Sequence, residues 1–260
     1  MKVYTKQKII DELRKIRALG WIKNKRPGNQ GGVGNTIEDL LGIEENNLPL
    51  PNAAEWELKC QRANSTALTT LFHMEPSPRA FKFVPQILLP KYGWTHKEAG
   101  KKYIKNEMSF RQTIGGNQRS DRGFIVIVDR KQSKILISFD HKSVDKKHSS
   151  WLSSVRKRIG LSELNPQPYW GFDDLLHKAG SKLSNCFYVK AKVKRIDNEE
   201  YFLYDEILML QKIDINNFVN AIEENKILID FDARTGHNHG TKFRLRRNCL
   251  PELYKYRTEI

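Results

Sequence analysis

The sequence predicts an α/β fold in which helices pack on mixed β-sheets, and three patterns support this prediction. Residues 5–18 place Ile9, Ile10 and Leu13 at a helical spacing, which is typical of an amphipathic helix. Residues 54–60 alternate apolar and polar side chains, as a half-buried strand does. Residues 123–139 and 185–210 each hold two apolar runs around a polar turn, which predicts two β-hairpins.

The other elements follow in chain order. Residues 20–36 are rich in Gly, Asn and cations, which predicts a loop. Asn35 or Thr36 is then expected to cap a short helix in the sequence IEDLLGI. Near the C-terminal end we expect a helix in NNFVNAIEEN, a strand in ILIDF, and a loop in RTGHNHG that leads into a basic strand.

The composition indicates a polyanion as the partner. The chain has 260 residues, with 45 Lys and Arg against 30 Asp and Glu, so its formal charge is 45 − 30 = +15. Residues 101–160 contain fifteen of the basic and five of the acidic residues, a local charge of +10. A charge run is often only a solvated surface, but here aromatic residues and glycines alternate with the cations. We read this stretch as a phosphate-binding surface, with Arg111, Arg119, Arg122, Lys142, Lys146 and Lys147 as candidate contacts.

Several protein classes are excluded. The hydrophobic fraction of 39% is too high for a disordered basic tail, and no apolar run is long enough for a membrane helix. The N-terminal stretch has no apolar signal-peptide core. The three cysteines are widely spaced, so they suggest neither a zinc site nor a disulfide framework, and we expect a cytoplasmic protein.

The strand at 54–60 carries a candidate catalytic pair. Alternation places Glu57 and Lys59 on one face and Trp56, Leu58 and Cys60 on the other. Hydrolysis of a phosphodiester with Mg²⁺ needs carboxylate oxygens that hold the ion and a cation near the developing charge. An isolated Glu-x-Lys pattern is common by chance, so it is weak evidence without a second carboxylate nearby.

Three longer motifs make the pattern specific. GNTIEDLLGIEENNLPLP precedes AEWELK, and TLFHMEP follows it. Together with RTGHNHGTKFR, these motifs resemble the MvaI/BcnI family of type II restriction endonucleases, from about Gly20 to Arg246. The resemblance implies a PD-(D/E)xK restriction-endonuclease-like core with a MutH-like two-lobed cleft. Within one unit over 1–260, it suggests a catalytic lobe near 1–150 and a recognition lobe near 151–260.

The resemblance also assigns the active-site residues. Glu57 and Lys59 match the family's Glu-x-Lys pair, and Glu38 matches a glutamate that joins the site from a helix. The family's metal-binding Asp lies five residues before the Glu, where this chain has Asn52. We therefore take Asn52 and Glu57 as the metal-binding positions. An amide offers one neutral oxygen where a carboxylate offers a charged pair, so Asn52 is expected to weaken Mg²⁺ binding.

Two explanations of Asn52 remain open. Asn52 is either an engineered change that lets DNA bind without being cut, or a natural residue of a weak or inactive protein. We favour the first explanation because the other motifs are intact. Replacing Asn52 with Asp is then expected to produce a Mg²⁺-dependent nuclease.

The C-terminal segment is the candidate for base recognition. Arg pairs with guanine O6 and N7, and Asp accepts from cytosine N4, so an Asp-x-Arg pair on an extended segment can read one C·G pair. The candidate DNA-binding residues here are Asp232, Arg234, His237, His239, Lys242 and Arg244. The alternative is an ordinary basic loop with an accidental His-x-His pattern.

Two further regions are expected to contact DNA. In the family, a His at the position of His73 probes a base in a groove. The glycine-rich stretch lacks the Lys-Ser/Thr ending of a nucleotide-binding loop, so we interpret Lys25, Arg26 and Asn29 as part of a loop that clasps the duplex.

The resemblance implies Mg²⁺-dependent cleavage of double-stranded DNA at a short GC-rich site, often of the CCNGG kind. It also implies a monomer that nicks the two strands in turn, beside a cognate DNA methyltransferase of the same restriction-modification system. Three alternatives stay open: a non-cutting sequence-specific DNA-binding protein, a MutH-like repair nickase and, less favoured, an RNA-binding protein.

Overall fold

The computed structural model describes residues 5–29, 31–43 and 55–260. The helices are α1 (Lys6–Ala18), α2 (Gly32–Leu41), α3 (Ser149–Ile159), α4 (Phe172–Leu183) and α5 (Ile215–Glu223), and a wide π-helical segment covers Val84–Tyr92. The first seven strands are β1 (Trp21–Lys23), β2 (Glu57–Arg62), β3 (Thr69–His73), β4 (Trp94–Thr95), β5 (Met108–Ile114), β6 (Arg122–Asp129) and β7 (Lys134–Val144). The others are β8 (Tyr169–Gly171), β9 (Asn185–Ile196), β10 (Glu199–Ile213), β11 (Ile227–Arg234), β12 (His237–Asn238), β13 (Lys242–Leu245) and β14 (Tyr254–Glu259).

Contacts divide the chain into two compact units. Unit 1 comprises Met1–Thr69, Leu176–Asn217 and Arg246–Ile260, and unit 2 comprises Thr70–Leu175 and Phe218–Leu245. The sequence suggested one boundary near residue 150, whereas this division cuts the chain at four places. The assignment of a catalytic and a recognition lobe stays a prediction. No helix in the described part of the chain is long and apolar enough to span a membrane.

Unit 1 is a five-stranded sheet covered by α1 and α2. Its strand order is β1-β10-β9-β2, with β14 on the free half of β10, and only the β2–β9 pair is parallel. The buried face of α1 packs against apolar residues of α2 and of the strands β2, β9 and β10, and together they form one core. The threonine before α1 caps it, because the Thr5 hydroxyl accepts a hydrogen bond from the Lys8 N–H at 3.3 Å.

Unit 2 contains two sheets. The larger sheet has the order β3-β13-β11-β5-β4, with β12 on β11, and the smaller sheet has the order β6-β7-β8. Aromatic rings fill the core, since Phe124 contacts the rings of Tyr92, Phe110, Phe139 and Trp151 at centroid distances of 5.0–6.5 Å. Burying several aromatic side chains together is a large part of the hydrophobic stabilisation of such a unit.

The structure confirms the predicted mixed fold and most of its elements. The first helix, the strand through Glu57, both hairpins, the helix before residue 225 and the strand after it are all present. The segment predicted as a loop after Arg234 contains the short strand β12 before the chain turns into β13. Elements that lacked a clear periodicity in the sequence, such as β5, α3 and α4, were not predicted.

The start of α2 corrects the prediction. Asn35 or Thr36 was expected to cap this helix, but it begins at Gly32, and no side chain caps it. Gly32 packs so closely on Asn24 that a Cβ atom would lie 2.9 Å from the Asn24 amide nitrogen. Thr36 is fully buried, and its hydroxyl accepts a hydrogen bond from the Lys25 N–H. Tertiary contacts with the preceding loop therefore override the low helix propensity of the glycines.

The turn between β9 and β10 gives a test of the hairpin. Asp197 and Asn198 both have positive φ, 51° and 64°, which is the backbone of a type I′ turn. We expect Asn198→Gly to raise the melting temperature slightly. Asn198→Val is expected to destabilise the protein by about 1–2 kcal/mol, because a β-branched residue is strained in this region. Thermal unfolding of both variants measures the effect, and equal stability of the two would contradict the turn assignment.

Candidate active site and nucleic-acid interface

Strand β2 places Glu57 and Lys59 on the face of the sheet opposite the helices. Trp56 and Leu58 lie in the core with α1 and α2, and Cys60 packs against that core. Glu57 and Lys59 alternate with these residues along the strand, so their side chains project from the other face, as the sequence pattern predicts. Parallel pairing with β9 sets Glu57 beside Cys186 and Lys59 beside Tyr188.

The two side chains form a buried ion pair. Glu57 is only 1% exposed, and its Oε1 lies 2.5 Å from Lys59 Nζ. The other carboxylate oxygen, Oε2, is also buried and has no hydrogen-bond partner among the described residues. Burying an ionised carboxylate is costly unless both oxygens are satisfied, so this oxygen is a ready ligand for a cation.

This arrangement fits a divalent cation at Glu57. Hard ions such as Mg²⁺ prefer carboxylate oxygens, and Oε2 is an unshared one beside a fixed lysine. In the described ranges, no group of three or more His, Cys, Asp and Glu side chains surrounds one position. Asn52, the other predicted metal position, lies outside the described residues.

The surroundings of the pair have low polarity. Burial raises the pKa of the Cys186 thiol to about 12; the adjacent Lys59 lowers it and Glu57 raises it. Burial also raises the pKa of Cys60, and the negative charge of Glu38 raises it further. Both thiols are therefore neutral at physiological pH, and the only charges on this stretch of β2 are those of the carboxylate and the lysine.

Glu38 is half-buried on α2 and lies close enough to Cys60 to influence its thiol. Cys60 is on the core face of β2, whereas Glu57 is on the other face. A role of Glu38 in the site stays a prediction.

A buried asparagine organises the predicted clasping loop. The Asn24 amide donates to Glu200 Oε2 at 2.9 Å, and its oxygen accepts from the Arg26 N–H at 2.9 Å. Glu200 also accepts two hydrogen bonds from the Arg62 guanidinium at the end of β2. The loop is thereby tied to the same strand that carries Glu57.

The predicted DNA-binding residues of this loop differ in their contacts. Arg26 pairs with Asp39 through two nitrogens, at 2.7 and 3.2 Å, while the Lys25 side chain is exposed. The Asn29 side chain accepts from the Gly31 N–H and so shapes the turn before α2. Of the three residues predicted to contact the duplex, Lys25 and Asn29 are therefore exposed, and Arg26 is already held in an ion pair.

In unit 2, one face of the large sheet is lined with polar side chains. Asp230 and Asp232 of β11 alternate with the buried Ile229, Phe231 and Ala233. Arg111 of β5 lies 2.7 Å from Asp232, and Lys242 of β13 lies 3.4 Å from it. In the next row, Asp230 accepts from Thr113 at 2.9 Å and from Arg244 at 3.3 Å. We call these six residues the polar sheet face.

Arg234 continues this face two residues beyond Asp232, at the end of β11. Its NH1 lies 3.0 Å from Oε1 of the nearly buried Glu107, and its guanidinium lies 4.6 Å from the centre of the Tyr103 ring. Asp232 and Arg234 do project from the same side of an extended strand, as base reading of a C·G pair requires. Both are held by protein partners, so their geometry is preorganised.

The predicted histidines lie near one loop. The rings of His237 and His239 are exposed and have nitrogens 3.3 Å apart. His73 is exposed on β3 and lies against Gly240, where an added Cβ would be 3.3 Å from the His73 ring. Glu75 anchors this loop through the Thr241 N–H at 2.8 Å.

The basic stretch 101–160 contains cations of two kinds. Arg119 donates to the Gly123 and Ser138 carbonyls, and Arg122 stacks 3.9 Å from the centre of the Trp94 ring. These two arginines are part of the packing of unit 2. Lys142 and Lys146 are exposed and are the better candidates for phosphate contacts.

Sequence reasoning missed several polar residues beside these sites. Gln61 and Tyr188 lie next to the Glu57–Lys59 pair, and Glu75 and Glu107 hold the loop and the arginine of the second region. Extending the alternation of β2 by two residues would have placed Gln61 on the same face as Glu57 and Lys59. The partners of Glu75 and Glu107 are distant in the chain, so no local pattern indicates them.

A buried Glu-x-Lys strand, together with a sheet face of Arg, Lys and Asp, defines a nuclease-like protein. The model of the MvaI/BcnI restriction endonuclease family matches residues 10–254, so the chain belongs to that family.

Solved structures agree on the fold. The restriction endonuclease MvaI in its complex with cognate DNA substrate is 23% identical, with 98% of this chain and 99% of that chain covered and a TM-score of 0.73. MvaI in the absence of DNA is 24% identical over the full length of both chains, with a TM-score of 0.58. No curated protein sequence matches significantly. The restriction-endonuclease-like fold is therefore confirmed, while the MutH-like cleft stays a prediction.

The buried ion pair makes a prediction for stability. Lys59→Met leaves the Glu57 carboxylate buried without its partner, so we expect a loss of about 3 kcal/mol in the free energy of unfolding. The double variant Lys59→Met/Glu57→Gln removes both charges and is expected to recover most of that loss. Urea unfolding in the presence of EDTA measures both values.

The matched control is Lys192→Met on β9, which breaks the exposed pair between Lys192 and Asp205. Its effect is expected to stay below about 1 kcal/mol. A similar loss for Lys59→Met and Lys192→Met would show that the Glu57 carboxylate is not effectively buried.

Proposed function

We propose that this protein is a type II restriction endonuclease that binds double-stranded DNA at a short GC-rich site and hydrolyses its phosphodiester bonds with Mg²⁺. The observation that carries the proposal is the buried Glu57 carboxylate, which has Lys59 on one oxygen and an unshared second oxygen. Family membership supports the reaction class, and the MvaI structure with cognate DNA supports duplex DNA as the substrate.

In this proposal Glu57 and residue 52 hold the ion, and Glu38 contributes from α2. A bound divalent ion supplies Lewis-acid stabilisation of the phosphate and lowers the pKa of coordinated water. The protein residues do the rest: the Lys59 ammonium, which is paired with the Glu57 carboxylate, donates to the phosphate or to the attacking water. The buried setting strengthens this electrostatic interaction relative to that in bulk water.

Asn52 sets the expected activity of the chain. One charged oxygen pair is replaced by a single neutral amide oxygen, so metal binding is weaker than in the family pattern. We predict that Asn52→Asp increases Mg²⁺-dependent cleavage of supercoiled plasmid by at least about a hundredfold, because a ligand charge at a metal site contributes several kcal/mol. Sequencing of the product ends identifies the site.

The control for that experiment is Asn52→Asp combined with Glu57→Gln, which is expected to be inactive. One defined double-strand break supports the restriction enzyme. Accumulation of nicked circles without linear product supports the nickase alternative. DNA binding without any cleavage by Asn52→Asp, over a range of Mg²⁺ concentrations, would contradict the assignment of residue 52 to the metal site.

The second candidate function is a sequence-specific DNA-binding protein that does not cut. Asn52 is the observation that favours it, since the remaining motifs are intact while this charge is missing. Binding of duplex DNA by the unchanged chain without cleavage fits this candidate and the first one alike, so the Asn52→Asp variant is the discriminating experiment.

Base reading is proposed for Asp232 and Arg234, with His73, His237, His239, Lys242 and Arg244 around them. A guanidinium can contact guanine O6 and N7 together, whereas a lysine cannot reproduce that paired geometry. Ion pairs with protein partners hold Asp232, Arg234 and Lys242 in defined positions before DNA arrives. Phosphate contacts from Lys25 and Lys142 would add affinity without sequence information.

Two substitutions separate these roles. We expect Arg234→Lys to reduce discrimination at one base pair about tenfold or more, with little change in the salt dependence of binding. Lys142→Ala is expected to weaken binding to all sequences alike and to lower the slope of log Kd against log salt by about one. Competition binding against a library of duplexes measures both. Equal loss for every sequence in Arg234→Lys would contradict its role in base reading.

The cellular setting follows from this function. We expect a monomer that acts in the cytoplasm of a bacterial or archaeal cell, where a cognate methyltransferase protects the host sites. The methyltransferase is a functional partner of the same restriction-modification system and need not bind the nuclease.

A further inference from the structure

A third polar side chain continues the catalytic face of β2. Gln61 follows Lys59 by two residues, so it projects from the same face about 7 Å further along the strand. The Gln61 side chain is 7% exposed, which is unusual for a glutamine unless its amide is hydrogen-bonded.

Two donors fix the orientation of the Gln61 amide. The Tyr188 hydroxyl donates to Gln61 Oε1, and the Asn248 N–H donates to the same oxygen at 3.2 Å. A backbone N–H can only donate, so the atom that faces it is the oxygen and the assignment of the amide is unambiguous. Both hydrogen bonds engage the oxygen, and the hydrogen bonds among the described residues include none from the Gln61 NH₂ group.

The environment of this NH₂ group suits an anion. Arg246 and Arg247 are exposed in the segment that supplies Asn248. Burial and the negative charge of Glu206 raise the pKa of Tyr188, and the positive charge of Arg247 lowers it. Tyr188 is itself buried beside Lys59 on the neighbouring strand. An amide N–H donor whose oxygen is held in place, two residues from Lys59 on the strand that carries the reactive pair, is the chemistry that recognises a phosphate oxygen.

We propose that Gln61 donates a hydrogen bond to a non-bridging phosphate oxygen of the DNA strand that is cut, and that Tyr188 is the positioning residue that aims its amide. This proposal rests on the proposed function, because it concerns the same substrate and the same strand. The alternative is that Gln61 only attaches the segment around Asn248 to β2.

The two readings differ for Gln61→Glu. Glutamate keeps the oxygen that accepts from Tyr188 and Asn248, so a structural role is preserved. It replaces the NH₂ donor by a negative oxygen, which repels phosphate. We therefore expect an unchanged melting temperature within a few degrees and at least about tenfold weaker DNA binding, since losing a hydrogen bond to a charged group has an effect of this size.

The measurement is fluorescence anisotropy in EDTA, so that no strand is cut. The probe is a mixture of labelled duplexes with a CCNGG centre, in which all four bases occur at the central position.

Two further variants test the geometry. Tyr188→Phe is expected to weaken binding only a few-fold, because the Asn248 N–H still holds the amide. Gln61→Met is expected to lose affinity with an unchanged salt slope, since a neutral donor releases no counterion.

The matched control is Gln211→Glu on β10 of the same sheet. Gln211 is half-buried and pairs with Asn185, so it projects from the opposite face to Cys186 and Glu57. Its substitution is expected to leave binding unchanged. Equal losses for Gln61→Glu and Gln211→Glu, or normal binding by Gln61→Glu, would overturn the proposal. Absence of duplex binding by the unsubstituted chain would instead overturn the proposed function.

Discussion

The candidate active site depends on one interaction, the ion pair between Glu57 and Lys59 on β2. A carboxylate that is 1% exposed is stable only if its charge is compensated, and Lys59 compensates one oxygen. The apolar face of the same strand packs against α1 and α2, and the parallel pairing with β9 fixes its register. The sheet thus keeps the carboxylate buried, and the second oxygen of Glu57 is the position at which we propose that a cation binds.

The polar sheet face of unit 2 differs from the Glu57 site, because its acidic side chains are paired with basic ones. Its charges, which are half-buried except for that of the exposed Arg111, pair with each other across strands, so each side chain has a defined position without a ligand. Such cross-strand pairs contribute modestly to stability but fix rotamers well. If this face reads bases, the base edges must form hydrogen bonds in addition to the existing ion pairs or must replace one partner of such a pair. Specificity would then come from a face that is ordered before binding.

Much of the fold and part of the site could be predicted from the sequence. The helix at Ile9–Ile16, the alternation at Glu57 and the two hairpins depend on local periodicity, and local periodicity is visible in one sequence. The start of α2 could not be predicted, because the contact between Gly32 and Asn24 determines it. Gln61 was missed because the residues that hold its amide, Tyr188 and Asn248, are more than a hundred residues away in the chain.

The central claim is that Glu57 is a ligand of a divalent cation, and metal binding tests it most directly. Mn²⁺ serves as a probe for the Mg²⁺ site and can be counted by electron paramagnetic resonance in the Asn52→Asp protein, with and without Glu57→Gln. The account predicts that Glu57→Gln removes one specific Mn²⁺ site while the protein stays folded. An unchanged number and affinity of Mn²⁺ ions after Glu57→Gln would contradict it.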